Sequence, residues 1–250
     1  MIKVKIGDIV CRKKYGKDIC FEIVDIKDDI YYLRGVEYRL VVDSPLEDLE
    51  LSDFKEEKTD IALESKPYIK GTILHIDGDQ KYLDRCLDKY QELGVIAYGY
   101  YLEESQMKEY IVPLLQRHKP DLLVITGHDA LKRNSDSRDI ESYVHSKDFV
   151  EAIKLARIYE DDKDNLIIFA GACQSYYELL LASGANFASS PNRQNIHALD
   201  PVLVMSQVAN ACVTNYVDLE EIIKKTSHKN QGIGGIDTRG VARKIYPISR

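Results

Sequence analysis

From residue 71 onward the chain alternates short, almost wholly apolar runs with longer amphipathic ones, and few folds accept that pattern. The runs "TILHID", "VIAYGYYL", "DLLVITG" and "NLIIFAG" each predict a strand buried on both faces. Between them, "QKYLDRCLDKYQELG", "SQMKEYIVPLLQRHK" and "SKDFVEAIKLARIYE" carry apolar residues at helical spacing. Gly94 stands where the first helix should stop, Pro113 predicts a kink in the second, and Ser146 reads as the N-cap of the third. "SYYELLLASG" adds a helix and "ANFASS" a short strand. Buried strands joined through helices run parallel, so residues 71–250 predict a doubly wound α/β domain with a mostly parallel sheet. Beyond Pro191, "DPVLVMSQVANACV" and "DLEEIIKKTS" read as helical and "IGGIDTRG" as loop.

Residues 1–51 have no helical period. "GDIV", "FEIVDI", "IYYLRGV" and "YRLVVD" are rich in β-branched and aromatic residues, with turn signals at "YGKD" and "KDD". They predict a small, strongly bent β-barrel of the KOW or Src-homology type. Residues 52–70 are polar and charged and read as a linker.

Composition closes several doors. The net charge is −7 with 30% charged residues, which argues against non-specific nucleic-acid binding by the whole chain. No apolar run approaches the roughly 20 residues that a membrane helix needs. "MIKVKIGDIV" lacks the pattern of a signal peptide, so a cytoplasmic, membrane-free protein is expected. Cys11, Cys20, Cys86, Cys173 and Cys212 are an odd, scattered set without CxxC, neither a disulfide framework nor a zinc ribbon. Four of them lie in apolar patterns and read as packing residues; Cys173 does not.

An open parallel sheet binds ligands beyond the carboxyl ends of its strands. The strands deliver His75, Asp77 and Asp79, then Gly127, His128 and Asp129, then Gly171, Ala172 and Cys173 to that edge. His128 and Cys173 thus emerge from consecutive buried strands. A cysteine nucleophile needs a base or imidazolium partner, because the thiolate is the reactive form, and the turn into a helix would favour it. Against this, free cysteines are commonly packing residues. His75 lies inside a strand and reads as packing, and His197 lies in a loop, "NIHALDP".

Apolar strand plus His, then apolar strand plus "AC", resembles the caspase-like (clan CD) cysteine peptidases. There the histidine lies about 50 residues before the cysteine, close to the interval seen here. Such enzymes usually place Gly directly after the histidine to bind the oxyanion; here Asp129 follows and Gly127 precedes, leaving a backbone N–H at Asp129 for that task. "ILHIDGD", "GHDA", "FAGACQS", "GANFASSP" and "NIHALDPV" together resemble a family of sporulation-specific proteases of spore-forming Firmicutes, across essentially the whole chain. That resemblance implies an endopeptidase acting in the mother cell and at the spore coat. It would trim coat and cortex proteins, cleave after arginine and process itself, with His128 and Cys173 as catalytic pair. The mechanism requires no metal or organic cofactor. An arginine pocket needs a carboxylate. Some arginine-specific relatives place an Asp two residues before the cysteine, where this chain has Gly171. Asp200 is then the first candidate, with Asp129 and Asp237 as alternatives. "ASSPNRQN" would supply backbone contacts to substrate, and Arg239, Arg243 and Arg250 are candidate self-processing sites.

Two other classes compete. "ILHIDGD" and "KPDLLVITG" also look like a receiver domain, with Asp77 and Asp79 as its acidic pair, but Thr126 and Gly127 stand where the phosphoacceptor belongs. The barrel could bind nucleic acid or protein through Lys3, Lys5, Arg12, Lys13, Lys14 and Lys17, although a solvated basic face explains them equally.

Overall fold

The computed structural model describes residues 4–54, 68–227 and 231–246. The chain divides into two units, Met1–Asp60 and Ile61–Arg250.

The first unit is an antiparallel sheet of β1 (Ile9–Arg12), β2 (Cys20–Lys27), β3 (Ile30–Gly35), β4 (Val41–Pro45) and β5 (Leu49–Leu51), in the order β4-β3-β2-β1-β5. Its inner face buries Val10, Phe21, Ile23, Leu33 and Leu49. A single turn, Leu46–Asp48, carries the chain from one edge strand to the other. In a flat sheet those edges would stand about 19 Å apart, four strand spacings. Three residues of 3-10 helix rise only about 6 Å, so the sheet must curl until its edges approach. It does not close: β4 and β5 are not paired, which corrects the expected barrel to a curled open sheet. Asp48 fastens the turn, accepting from Arg12 Nε at 3.2 Å and from the Lys14 amide at 2.7 Å. Lys17 likewise pairs with Glu50 at 2.6 Å.

The second unit opens with β6 (Tyr68–Ile69), β7 (Ile73–Asp77), α1 (Gln80–Glu92), β8 (Ala97–Tyr101), α2 (Met107–His118), β9 (Leu122–Thr126) and α3 (Ser146–Tyr159). It continues with β10 (Ile167–Ala170), α4 (Tyr177–Ala182), β11 (Phe187–Ser189), α5 (Asp200–Asn210), α6 (Leu219–Lys224), β12 (Ile233–Gly235) and β13 (Arg243–Lys244). Six strands form one sheet in the order β12-β11-β10-β9-β7-β8, all parallel except β12. Side chains alternate across it with the period of two that a strand imposes. Leu74, Ile76, Leu123, Ile125 and Ile168 pack with Met107 and Ile111 of α2, Phe149 and Ile153 of α3, and Leu180 of α4. Ile73, Leu122, Val124, Ile167 and Phe169 pack on the other face with Tyr90 of α1, Val202 and Met205 of α5, and Ile222 of α6. The sheet is therefore doubly wound. Because β8 lies on one side of β7 and β9 on the other, the order of winding reverses between the parallel strands β7 and β9, and a doubly wound sheet has its crevice at the carboxyl ends of such a pair.

Three local expectations change. "IGGIDTRG" contains β12, whose Gly234 and Gly235 admit the Tyr177 hydroxyl and the Asn186 carbonyl at distances no Cβ would allow (2.3 and 2.6 Å). Such a strand is chosen by close approach and shows no apolar period. Residues at the end of the supposed linker form β6, which pairs with β13. The hydroxyl of Ser146 does not cap α3; it donates to Asp129 and accepts the Tyr176 amide. Among the described residues no helix is long and apolar enough to cross a membrane.

Candidate active site

The floor of the crevice is a fully buried polar chain. Thr126, at the end of β9, donates through Oγ1 to Asp77 Oδ2 at 2.8 Å and lies 2.8 Å from His75 Nε2. Tyr90 Oη lies 3.3 Å from His75 Nδ1. Asp77 Oδ1 accepts the Asp79 amide at 2.9 Å, which shapes the turn leaving β7. His75, Asp77 and Cys86 bring possible metal-ligand atoms within 4.8 Å of one another, and among the described residues they are the group that could hold an ion. Thr126 and Tyr90 already engage both ring nitrogens of His75, so the group stands as an internal hydrogen-bond network tying β7, β9 and α1 together. His75 packs as its strand position predicts, and Asp77 is turned inward.

Asp79 caps α1 through Oδ1, accepting the Lys81 and Tyr82 amides at 2.9 and 3.3 Å. Its Oδ2 is 3.7 Å from His128 Nε2. Across the ring, Glu104 Oε1 is 3.7 Å from His128 Nδ1 and accepts the His128 backbone N–H at 2.7 Å. The imidazole therefore lies between two carboxylates, with the Tyr82 ring 6.1 Å away and Nε2 free of hydrogen bonds among the described residues. Glu104 is only 8% exposed. Burial alone would raise its pKa, but hydrogen bonding from His128 outweighs this and holds the carboxyl below its ordinary value. Gly78 and Gly127 make room for it: a Cβ on either would sit 2.1 or 2.4 Å from Glu104 Oε1. Nothing in the sequence near Glu104 announces this role. The trace it leaves is the glycine on each side, within "IDGD" and "TGHD".

Cys173 leaves β10 through Gly171, whose φ of +107° and contact with Leu180 exclude larger residues. The thiol is fully buried. Its Sγ receives the Ile196 N–H at 3.4 Å, and the Gln174 amide donates to the Gln194 carbonyl at 3.1 Å. The segment 190–196, which overlaps "ASSPNRQN" and adds Ile196, thus lies against the cysteine. Helix α4 begins only at Tyr177, so a tight turn follows Cys173 where the sequence suggested a helix N-terminus.

The loops bearing His128 and Cys173 are fastened together. Ser175 donates to Asp129 Oδ2 at 2.9 Å, and the Leu131 amide donates to Gln174 Oε1 at 3.3 Å. The Asp129 carboxylate also accepts from the Ser146 hydroxyl, the His145 amide at 2.8 Å and the Ala130 amide at 2.9 Å. Burial raises its pKa in spite of these donors. Asp129 is a tie between loops, with Ser146 and Ser175 as its partners; from sequence Ser146 reads as a helix cap, and nothing marks Ser175.

Asp200 opens α5 and is fully buried. Oδ1 accepts from the Ser227 amide at 3.0 Å and its hydroxyl at 3.2 Å, while Oδ2 has no partner among the described residues. Burial pushes its pKa up to about 6. Asp237 is exposed. His197 folds back so that Nδ1 accepts the Leu199 amide at 3.1 Å. Arg239 is exposed and pairs with Asp164 at 3.5 Å, and Arg243 lies exposed in β13; Arg250 lies outside the described residues. Cys11 and Cys86 are buried as expected of packing residues, whereas Cys20 and Cys212 are part-exposed. A cavity of about 360 Å³ between Tyr68, Asn210, Tyr216 and Glu221 lies near the start of β7, where Gly71 bonds Ala209, and so at the opposite edge from His128 and Cys173.

The family described as YabG peptidase U57 matches residues 5–66 and 53–247 of this chain. The chain belongs to the YabG peptidase family. A curated relative, the sporulation-specific protease YabG of Bacillus subtilis (strain 168), is 39% identical over 286 aligned residues, covering 98% of this chain and 99% of the relative. Membership in the YabG family makes the chain a peptidase and leaves the receiver reading without support. Because the match spans both units, the curled N-terminal sheet is part of the YabG architecture.

Proposed function

We propose that this peptidase is a cysteine endopeptidase of sporulation, with Cys173 as nucleophile and His128 as its acid–base partner. The observation that carries this reading is the tie from Asp129, next to His128, to Ser175, two residues past Cys173, at the carboxyl edge of adjacent strands. Among the described residues the His128 Nε2 is left without a hydrogen bond, as an acid–base group awaiting its partner requires. The Cys173 thiolate attacks the scissile carbonyl carbon, and backbone N–H groups at Cys173 and Asp129 hold the oxyanion. His128 then gives its proton to the leaving amine as the C–N bond breaks. Water, deprotonated by His128, hydrolyses the thioester and returns the thiol.

Cleavage follows arginine, and Asp200 is the acid of the specificity pocket. Of the three carboxylates considered, Asp129 has its oxygens filled by internal donors and Asp237 is exposed, whereas Asp200 keeps a buried oxygen without a partner among the described residues. An arginine guanidinium is the cation such an oxygen suits. The substrates are spore coat and cortex proteins, met in the mother cell or at the coat, and the enzyme also cuts its own chain after Arg239 or Arg243. The test is incubation of wild-type and Cys173→Ala protein with a denatured arginine-rich protein, followed by mass spectrometry of the cuts. Wild type should produce fragments ending in arginine and the variant none; equal cutting by both overturns the reading.

A further inference from the structure

We infer that Glu104 is the third member of the catalytic group, the carboxylate that orients and charges His128. The inference rests on the cysteine–histidine reading above and goes beyond it. Glu104 comes from the 3-10 turn before α2, on neither catalytic strand, yet its Oε1 accepts the His128 amide at 2.7 Å and faces Nδ1 at 3.7 Å. One oxygen thereby fixes both the backbone and the ring of the histidine. A carboxylate at Nδ1 selects the tautomer with hydrogen on that nitrogen and leaves Nε2 to exchange protons with thiol and leaving amine. Glu104 is nearly enclosed, and two glycines are shaped around it, so its charge acts on the ring through little solvent.

The other charged neighbours act differently. Asp79 faces Nε2 at 3.7 Å but commits its other oxygen to capping α1, so it supports charge on the ring without selecting the tautomer. Tyr82 offers its ring to the imidazole, and His145 exerts its charge on Glu104. Glu104 is a positioning residue: it touches the histidine and no reacting atom of the substrate.

The experiment measures kcat and KM against pH for wild type, Glu104→Gln and Glu104→Ala on a peptide with a single arginine, beside Cys173→Ala and His128→Ala controls. Glu104→Ala should lower kcat about 100-fold or more with KM within about twofold, because an oriented general acid–base contributes at least that much. Glu104→Gln keeps an acceptor for the His128 amide but lacks the charge, and should recover part of the loss. A carboxylate favours the charged imidazole, so in Glu104→Gln the alkaline limb of the kcat profile should move to lower pH. Glu104→Gln is nearly isosteric and carries the test if Glu104→Ala fails to fold. The proposal is overturned if kcat in Glu104→Gln and Glu104→Ala stays within about threefold of wild type. It is equally overturned if both lose activity to the same extent with the pH profile unmoved, since a merely structural role would do that. Activity surviving in Cys173→Ala or His128→Ala refutes the underlying dyad, and the role of Glu104 falls with it; this outcome is read from the controls alone.

Discussion

The backbone N–H of Ile196 points at the sulfur of Cys173 from 3.4 Å. A nucleophile covered in this way cannot meet a peptide until the segment 190–196 shifts. That segment is anchored by Arg193, which donates to the Tyr143 hydroxyl and to Glu178 and to two carbonyls of its own loop, at Ser190 and Pro191. Its guanidinium also lies 5.7 and 5.4 Å from the stacked rings of Tyr143 and Tyr176.

Arg193→Ala should therefore uncover the thiol. The expected result is a rise of about fivefold or more in the rate of Cys173 alkylation by iodoacetamide, read by peptide mass mapping, since local opening governs access to buried groups. An unchanged rate would mean that something other than this loop shields Cys173.

Cys173→Ala and His128→Ala should each reduce peptide hydrolysis by several orders of magnitude, because members of a catalytic group fail together. Stability should change little in Cys173→Ala, by about 1 kcal/mol, as only one sulfur atom leaves the core. Thermal melting beside the activity assay separates lost chemistry from lost folding.

The sheet was legible in the sequence because its strands are buried on both faces and its helices are not. "LLVI" has no polar residue to hide, and "QKYLDRCLDKYQELG" has one apolar stripe, so the two kinds of element could be told apart without tertiary information. The placement of His128 and Cys173 just past the ends of β9 and β10 was legible for the same reason. Glu104 was not, because its contact with His128 is made across the β7–β9 crevice and depends on glycines that look like ordinary turn residues. The serines holding Asp129 were hidden likewise, Ser146 behind the appearance of a helix cap. β12 escaped because Ile-Gly-Gly carries no alternation, its glycines serving the approach of Tyr177 and Asn186.

Those glycines can be tested directly. Gly127→Ala places a methyl group about where Glu104 Oε1 now lies, at 2.4 Å. Glu104 is held by the His128 amide, so either the carboxylate or the His128 loop must give way. Peptide hydrolysis should fall at least tenfold with KM little changed and with the melting temperature reduced by a few degrees. A variant with full activity would show that the glycine is only a turn residue.

The last prediction turns on the sign of a linkage. Asp200 ionises near pH 6 in the folded protein against an ordinary value of 3.8, and burial is the main cause. The folded state thus holds that proton more tightly than the unfolded chain does. Its contribution to stability is full below about pH 4, is lost as pH climbs through about 6, and stays lost at neutral pH. A shift of this size corresponds to about 2–3 kcal/mol of destabilisation at pH 7. Asp200→Asn removes the charge but keeps an oxygen for Ser227, while its amide nitrogen occupies the place where Oδ2 has no partner among the described residues, which offsets part of the gain. Denaturant unfolding should therefore find the variant about 1–2 kcal/mol more stable than wild type at pH 7, with the difference shrinking towards zero at pH 4. If Asp200 is the acid that receives arginine, the same substitution should weaken cleavage after arginine by tenfold or more while leaving Cys173 alkylation unchanged. Greater stability with poorer cleavage is what a buried charge kept for substrate looks like. A variant that is less stable at every pH would instead mark the Asp200 carboxylate as a structural anchor for the start of α5.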